Sequence, residues 1–143
     1  MKSEVTTLKQ KVVIPASPKE VFDAFVDPEK HGEFTGAKAT GKPVVGGKFT
    51  AWDGYIYGKF LELEDGKRVV QEWTDTDFPE GSAPSKLELC FNKTPKGTEL
   101  VMIQSGLPKE LADETKEGWT EWYWEPLKEY FTKGLGAKPK KTA

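Results

Sequence analysis

The sequence predicts an α+β fold in which a curved antiparallel sheet wraps around a long C-terminal helix. Two observations lead to this prediction. Strand-like segments joined by turns that contain Gly follow one another from about residue 37 to about residue 105, which indicates an antiparallel meander. The segment GWTEWYWEPLKEYF, residues 118–131, then brings six aromatic residues into an amphipathic helical pattern. We expect the meander to bury that helix.

Composition limits the domain count and the partners. The 143 residues suffice for one domain, since a chain of this length buries about 68% of the surface that its unfolded form exposes. The formal charge is −2, from 21 basic and 23 acidic residues, so no basic excess is present to neutralise nucleic-acid phosphates. No apolar run approaches the roughly 18 residues of a membrane span. We therefore expect neither nucleic-acid binding nor membrane insertion.

The single cysteine, Cys90, excludes an intramolecular disulfide framework. The N-terminal stretch MKSEVTTLKQ has no apolar region of the kind that a secretory signal needs. These two features predict a cytoplasmic protein. Cys90 lies in an alternating strand without a basic neighbour in sequence, which favours a buried or half-buried structural thiol over a nucleophile.

The first strand lies in TLKQKVVI, residues 7–14, where apolar and polar residues alternate up to Pro15. Ser17, Pro18 and Glu20 then have the spacing of N-cap, N1 and N3 of a helix, so the Ser hydroxyl and the Glu carboxylate can cap it reciprocally. Asp27-Pro28 repeats the pattern and predicts a second short helix. Two short helices should therefore follow the first strand.

The meander is divided by turns at Asp53-Gly54, Asp65-Gly66 and Lys96-Gly97. The Pro-, Gly- and Ser-rich stretch DFPEGSAPS, residues 77–85, is predicted to be a loop. With the first strand, we expect a sheet of about six to seven strands. The clearest meander strands are GKFTAW (47–52), YIYGKFLEL (55–63), KRVVQEWTD (67–75), SKLELCFN (85–92) and TELVMIQS (98–105).

In the C-terminal segment, apolar side chains cover an arc of about 200° on a helical projection, twice the stripe that docks an ordinary surface helix. A concave sheet could bury so wide an arc. Pro126 has no N–H to donate and should kink the helix near Trp122. The arc contains Trp119, Trp122, Tyr123, Trp124, Pro126, Leu127, Tyr130 and Phe131.

The chain resembles the activator of heat-shock-protein-90 ATPase homologue family, a branch of the START-like (SRPBCC) superfamily. The resemblance covers nearly the whole chain and rests on the motifs ASPKEVFDAF, EFTGAKA, VGGKF, DGYIYGKFLEL, VVQEW, FPEG, TELVMIQSGLP and TKEGWTEWYWEPLKEYF. It implies the helix-grip (START-like) fold, with one domain at 1–134. We expect the polar residues 135–143 to form a disordered tail.

No catalytic machinery is visible in the sequence. A lone His31 on a short helix is typical of a solvated residue, and one His with one Cys cannot form a His/Cys metal site. The stretch GKPVVGGKF differs from a phosphate-binding loop because Phe49 follows Gly47-Lys48 where Ser or Thr is needed. We expect a non-enzymatic protein without metal or cofactor, and a cyclase or hydrolase is disfavoured.

The resemblance implies a hydrophobic cavity between the sheet and the last helix, which would hold a hydrophobic small molecule or lipid. Gly58 and other small residues on the facing strands could leave such space, although the aromatic side chains could equally fill the core. Gln71, Glu72 and Gln104 either orient a ligand or face solvent. The candidate lining residues are Phe25, Phe34, Phe49, Tyr57, Trp73, Leu89, Trp119, Tyr123 and Leu127.

A co-chaperone-like protein is the alternative that the resemblance implies. The working surface would then lie on the outside and would bind heat-shock protein 90, with the aromatic helix as scaffold. The sequence resembles single-domain prokaryotic members and the C-terminal domain of the eukaryotic co-chaperone. Because no second domain precedes it in this sequence, we expect at most weak stimulation of the chaperone ATPase.

Overall fold

The computed structural model describes residues 4–132, which form one seven-stranded antiparallel sheet with helices on its concave face. The predicted polar tail, 135–143, lies outside the described residues. The strands are β1 (Val5–Ile14), β2 (Thr40–Gly41), β3 (Lys48–Ala51), β4 (Ile56–Glu64), β5 (Arg68–Asp75), β6 (Ser85–Thr94) and β7 (Gly97–Pro108). The α-helices are α1 (Pro18–Val26), α2 (Pro28–Thr35), α3 (Ala112–Trp119) and α4 (Glu125–Thr132).

The sheet has the order β1-β7-β6-β5-β4-β3-β2, so the first strand pairs with the last and the others form a meander. The predicted turn glycines Gly54, Gly66 and Gly97 all have positive φ, a conformation that costs Gly little. The segment between β5 and β6 is a loop, as predicted. The α+β helix-grip architecture is thereby confirmed.

Helices α1 and α2 begin where the sequence predicts. The N–H of Glu20 donates to Ser17 Oγ at 3.2 Å, and the N–H of Ser17 donates to the Glu20 carboxylate at 3.0 Å, which completes a capping box. Asp27 caps α2 by accepting from the N–H of Glu29 at 3.0 Å. Together α1 and α2 close the concave side of the sheet at one end.

The C-terminal helix is interrupted by one wide turn. Between α3 and α4, Thr120–Trp124 form a π-helical turn in which the N–H of Glu125 donates to the carbonyl of Thr120. Pro126 follows directly and has no N–H for the carbonyl of Trp122, so the regular ladder cannot continue there. The irregularity lies where Pro126 predicts it. No helix within residues 4–132 is long and apolar enough to cross a membrane.

The core lies between the concave face and the helices, and it is filled closely beside Gly58. A Cβ at Gly58 would lie 1.9 Å from the carbonyl oxygen of Glu72 and 3.1 Å from the ring of Phe49. The Phe49 and Trp73 rings approach to 6.0 Å between centroids across this glycine. The expectation that Gly58 leaves space for a ligand is therefore wrong, because the glycine admits a neighbouring strand and an aromatic ring.

Candidate functional site

The predicted lining residues separate into three groups. Five are core residues between 0% and 8% exposed: Phe25, Phe34, Phe49, Leu89 and Leu127. Tyr57 is 46% exposed and lies on the outer face of β4, next to the buried Ile56 in an alternating strand. The prediction that Tyr57 faces the interior is a register error, since adjacent residues of a strand point to opposite faces.

Trp73, Trp119 and Tyr123 are brought together at an open groove. The ring centroids are 5.0 Å apart for Trp73 and Trp119 and 4.7 Å apart for Trp119 and Tyr123. The groove has a volume of about 560 Å³ and separates the C-terminal helix from the ends of β3 to β5. Its walls are Trp52, Tyr55, Ile56, Trp73, Asp75, Asp77, Leu111, Glu114, Thr115, Gly118, Trp119, Trp122 and Tyr123.

Trp52 forms part of the groove wall on the side of the sheet, and its backbone conformation is strained. Its φ is 55° and that of Asp53 is 58°, values that are unusual for a residue with a bulky side chain. The Trp52 ring lies edge-to-face with Trp122 at 5.6 Å and with Tyr123 at 6.3 Å. Strained backbone of this kind tends to occur at functional sites.

The sequence did not identify Trp52, Tyr55 or Trp122 as lining residues. Trp122 and Tyr55 are 51% and 40% exposed. Two features of the sequence could have identified two of them. Trp52 stands directly before the Asp53-Gly54 turn, and Trp122 lies at the edge of the wide apolar arc of the C-terminal helix. Large aromatic side chains that stay exposed beside a concavity are typical of binding sites.

The polar atoms of Trp119 and Tyr123 have partners within the protein. Trp119 Nε1 donates to Gln104 Oε1 at 2.9 Å, and Gln104 Nε2 donates to Ser85 Oγ at 3.0 Å. Ser85 Oγ in turn donates to the carbonyl of Trp73 at 2.7 Å. Gln104 therefore fixes the Trp119 ring at the floor of the groove, and its amide is occupied by protein groups.

The other two polar candidates lie elsewhere. Glu72 is half-buried on the outer face of β5. Gln71 is 1% exposed on the inner face, and its Oε1 has no hydrogen-bond partner within the described residues. Gln71 lines a separate cavity of about 20 Å³ beside Phe25 and Phe49, which has room for about one water molecule. None of Gln71, Glu72 and Gln104 lines the groove.

His31 is 6% exposed, so the prediction of a solvated His31 is wrong. Its Nδ1 lies 2.8 Å from the carbonyl oxygen of Phe25 and its Nε2 lies 2.9 Å from Tyr123 Oη. A carbonyl can only accept, so Nδ1 carries a proton, and in the neutral ring Nε2 accepts from the Tyr123 hydroxyl. Burial lowers the pKa of His31 to about 4. Burial also raises the pKa of Tyr123.

One rim of the groove is acidic. Asp75 and Asp77 lie at the end of β5 and just beyond it, and Glu114 lies opposite them on α3. Asp75 accepts from the N–H of Asp77 at 2.8 Å, and the Tyr55 hydroxyl donates to Asp77. Burial raises the pKa of Asp75, and the nearby charges of Asp77 and Glu114 raise it further. Burial and the bond to Asp77 raise the pKa of Tyr55.

Cys90 is half-buried on the outer face of β6, away from the groove. Its Sγ is 3.9 Å from the carboxylate of Glu88. Burial first, and then the negative charge of Glu88, raises the pKa of the thiol. The structure thus confirms a half-buried thiol. Its pKa is raised, whereas the pKa of a nucleophilic thiol is lowered by its surroundings.

Comparison with known sequences places these features in a family. The family model for "Activator of Hsp90 ATPase homolog 1-like protein" matches residues 15–132. A human protein named activator of 90 kDa heat shock protein ATPase homolog 1 is 35% identical over 132 residues, which are 92% of this chain and 38% of that protein. A relative of similar name from Dictyostelium discoideum is 32% identical over 82% of this chain and 31% of its own length. The chain thus spans less than two fifths of these relatives.

Solved structures share the fold. The crystal structure of PFC0360w, an HSP90 activator from Plasmodium falciparum, superposes with a TM-score of 0.77 at 24% identity, covering 94% of this chain and 99% of that one. CalU16 from Micromonospora echinospora superposes with a TM-score of 0.73 at 20% identity, covering 92% and 84% of the two chains. The matched family model shows that the chain belongs to the family of activator of Hsp90 ATPase homolog 1-like proteins.

Proposed function

We propose that this protein is a non-enzymatic binding module that holds an apolar small molecule in the groove between the sheet and the C-terminal helix. The observation that carries the proposal is the groove itself. Its volume of about 560 Å³ falls within the roughly 300 to 1,000 Å³ of typical small-molecule sites. Six aromatic side chains face it: Trp52, Tyr55, Trp73, Trp119, Trp122 and Tyr123.

The groove supports binding better than the closed core does. Phe25 and Phe49 border the cavity of about 20 Å³ beside Gln71, and Leu89 is fully buried in the same core. The groove, by contrast, has a fixed floor, because Trp119 is held by Gln104 and Tyr123 by His31. A rigid floor reduces the conformational entropy that the protein loses when a ligand binds. Trp52 and Trp122 form the exposed part of the wall.

The non-enzymatic assignment rests on where the single histidine and the single cysteine lie. Both nitrogens of His31 are already bound to protein groups, and Cys90 lies on the other face of the sheet. A general base must reach the proton that it abstracts, directly or through one water. We therefore assign the groove to binding, in a protein that we place in the cytoplasm.

A fluorescence titration with N-phenyl-1-naphthylamine, a neutral apolar probe, tests the proposal. We expect saturable one-to-one binding and a raised melting temperature, because a ligand that binds only the folded state stabilises it. Gly118→Leu is the blocking variant. A Cβ there lies 3.6 Å from Trp122 Cδ1, an ordinary contact, so the longer side chain should fit the helix and enter the groove.

Thr120→Leu is the matched control, because Thr120 is exposed, lies two residues further along the helix and does not line the groove. Gly118→Leu should abolish probe binding without lowering the free energy of unfolding, whereas Thr120→Leu should bind as the wild type does. Equal binding by Gly118→Leu and the wild type would remove the groove as the site. An absence of saturable binding by the wild type would end the proposal.

Association with a 90 kDa heat-shock protein is a second candidate, favoured by the names of the curated relatives. The outer face of the sheet carries exposed Lys9, Lys11, Lys59 and Lys86. A charged surface of this kind would make binding sensitive to salt, since exposed charges act over about 8 Å at physiological ionic strength. The groove would then serve as scaffold.

A pull-down with a purified 90 kDa heat-shock protein, combined with an ATPase assay, tests this candidate. We expect salt-sensitive association that Lys9→Glu with Lys11→Glu weakens, and at most weak stimulation of the ATPase. Gly118→Leu serves as the reciprocal control and should leave this association unchanged. No association at tens of micromolar protein would reject the candidate.

A further inference from the structure

The groove has charges of only one sign on its walls. Asp75, Asp77 and Glu114 line it, and no lysine, arginine or histidine does. Within residues 4–132, none of these three carboxylates forms a salt bridge. Tyr55 donates to Asp77 but adds no positive charge. An apolar ligand in this groove would therefore lie beside uncompensated negative charge.

The carboxylates are not arranged for a metal ion. In the described part of the chain, no group of three or more His, Cys, Asp or Glu side chains is placed to hold one. Asp75 and Asp77 lie on the sheet side and Glu114 on the helix side, so they act as separate charges on two walls. A diffuse cation fits this distribution better than a compact ion that requires convergent oxygen ligands.

The aromatic walls also favour a positively charged ligand. The Trp52 ring stands at 74° to Trp122 and at 76° to Tyr123, so the rings form perpendicular walls. The face of an aromatic ring carries partial negative charge and attracts a cation within about 6 Å of its centroid, and Trp does so most strongly. Several such faces in one concavity are the usual means of recognising alkylated ammonium groups.

We infer that the ligand of the groove is a small organic cation, an amine or quaternary ammonium compound with an apolar body. This inference rests on the proposed function and specifies its ligand class. The apolar body lies against Trp73, Trp119 and Ile56 at the floor. The cationic head lies against the Trp52–Trp122 pair on one side and faces the acidic rim of Asp75, Asp77 and Glu114 on the other.

Two water-soluble probes of similar size and opposite charge test the inference. Benzyltrimethylammonium and phenylmethanesulfonate are each titrated against protein loaded with the neutral probe N-phenyl-1-naphthylamine. We expect the cation to displace the probe at a concentration at least tenfold lower than the anion. Because the quaternary head keeps its charge at every pH and has no N–H, a preference for the cation comes from its charge and not from protonation or hydrogen-bond donation.

Variants separate the acidic rim from the aromatic walls. In Asp75→Asn with Asp77→Asn, an acceptor oxygen remains for the N–H of Asp77 and for the Tyr55 hydroxyl, so the fold should be kept while two charges are removed. We expect the ratio of cation affinity to neutral-probe affinity to fall at least fivefold. Trp122→Leu, which keeps an apolar wall without the ring, should lower that ratio about threefold.

Glu72→Gln with Glu99→Gln is the control, because it removes the same number of charges from residues that do not line the groove. It should change the ratio by less than twofold. Equal binding of the cation and the anion, with the neutral probe still bound, would overturn this inference and leave the proposed function standing. A fall in the ratio as large in the control as in the Asp75/Asp77 variant would also overturn it, because net charge alone would then explain the preference.

Discussion

Tyr123 and His31 are joined by a 2.9 Å hydrogen bond that ties the C-terminal helix to α2. The two residues are 92 positions apart, and His31 is held at its other nitrogen by the carbonyl of Phe25. Tyr123 also forms part of the groove floor. The bond therefore links the position of the Tyr123 ring in the groove to the neutral state of the buried His31 imidazole.

The stability of the protein should fall in mildly acidic solution because of His31. The pKa of His31 is about 4 in the folded state, against 6.5 for an unperturbed imidazole. Between these values the unfolded chain binds more protons, so stability is complete above pH 6.5 and is lost as the pH falls towards 4. The loss attributable to His31 should approach about 3 kcal/mol at the lower end.

Urea unfolding of the wild type and of His31→Gln between pH 4 and 7.5 measures this contribution. Carboxylates titrate in both proteins, so their effect cancels when the two are compared. The difference between their free energies of unfolding should change by about 3 kcal/mol across the window. An imidazole that titrates near pH 6.5 by NMR in the folded protein would contradict the neutral, buried assignment.

Trp119→Ala should lower the free energy of unfolding by about 3 to 5 kcal/mol, the usual cost of truncating a buried Trp. Trp119 is 3% exposed, stacks on Trp124 at 5.1 Å and donates to Gln104. Its removal leaves a cavity and an unpaired buried amide oxygen. Trp122→Ala is the control and should cost less than about 1 kcal/mol, since Trp122 is 51% exposed. Similar small losses in both variants would show that Trp119 is loosely packed.

Gly58→Ala and Gly118→Ala should have opposite effects. At Gly58 the added methyl would lie 1.9 Å from a backbone oxygen, so strands must separate and the free energy of unfolding should fall by at least about 1 to 3 kcal/mol. At Gly118 the nearest atom would be 3.6 Å from an added Cβ, which is an ordinary contact. Ala should therefore raise the free energy of unfolding by up to about 1 kcal/mol through its higher helix propensity. Urea unfolding of both variants checks the pair, and a tolerated Gly58→Ala would argue against the close β4–β5 approach.

Cys90 should react slowly with a thiol reagent in the folded protein. Its raised pKa lowers the thiolate fraction, and half-burial limits access. At pH 8 we expect modification by Ellman's reagent to be at least tenfold slower than in the urea-unfolded chain, which supplies the reference because Cys90 is the only cysteine. Equal rates in the two states would refute the structural role of the thiol.

The sequence alone determined the local elements and their order. Ser17 with Glu20, and Asp27 with Pro28, predict their helix starts because capping depends on residues only a few positions apart. Gly54, Gly66 and Gly97 mark the turns because they adopt backbone angles that other residues avoid. The aromatic arc of residues 119–131 predicts a gripped helix, since that much apolar surface requires a concave partner.

Only the tertiary structure decided which side chains meet. The face that Tyr57 occupies depends on strand register, and one residue of shift reverses it. The burial of His31 depends on Tyr123, and the orientation of Trp119 depends on Gln104. The groove exists because Trp52, the acidic C-terminal end of β5 and the wide turn of the C-terminal helix are brought to one edge. Such long-range packing relations leave no periodic trace along the chain, because each residue's partner is set by the fold as a whole.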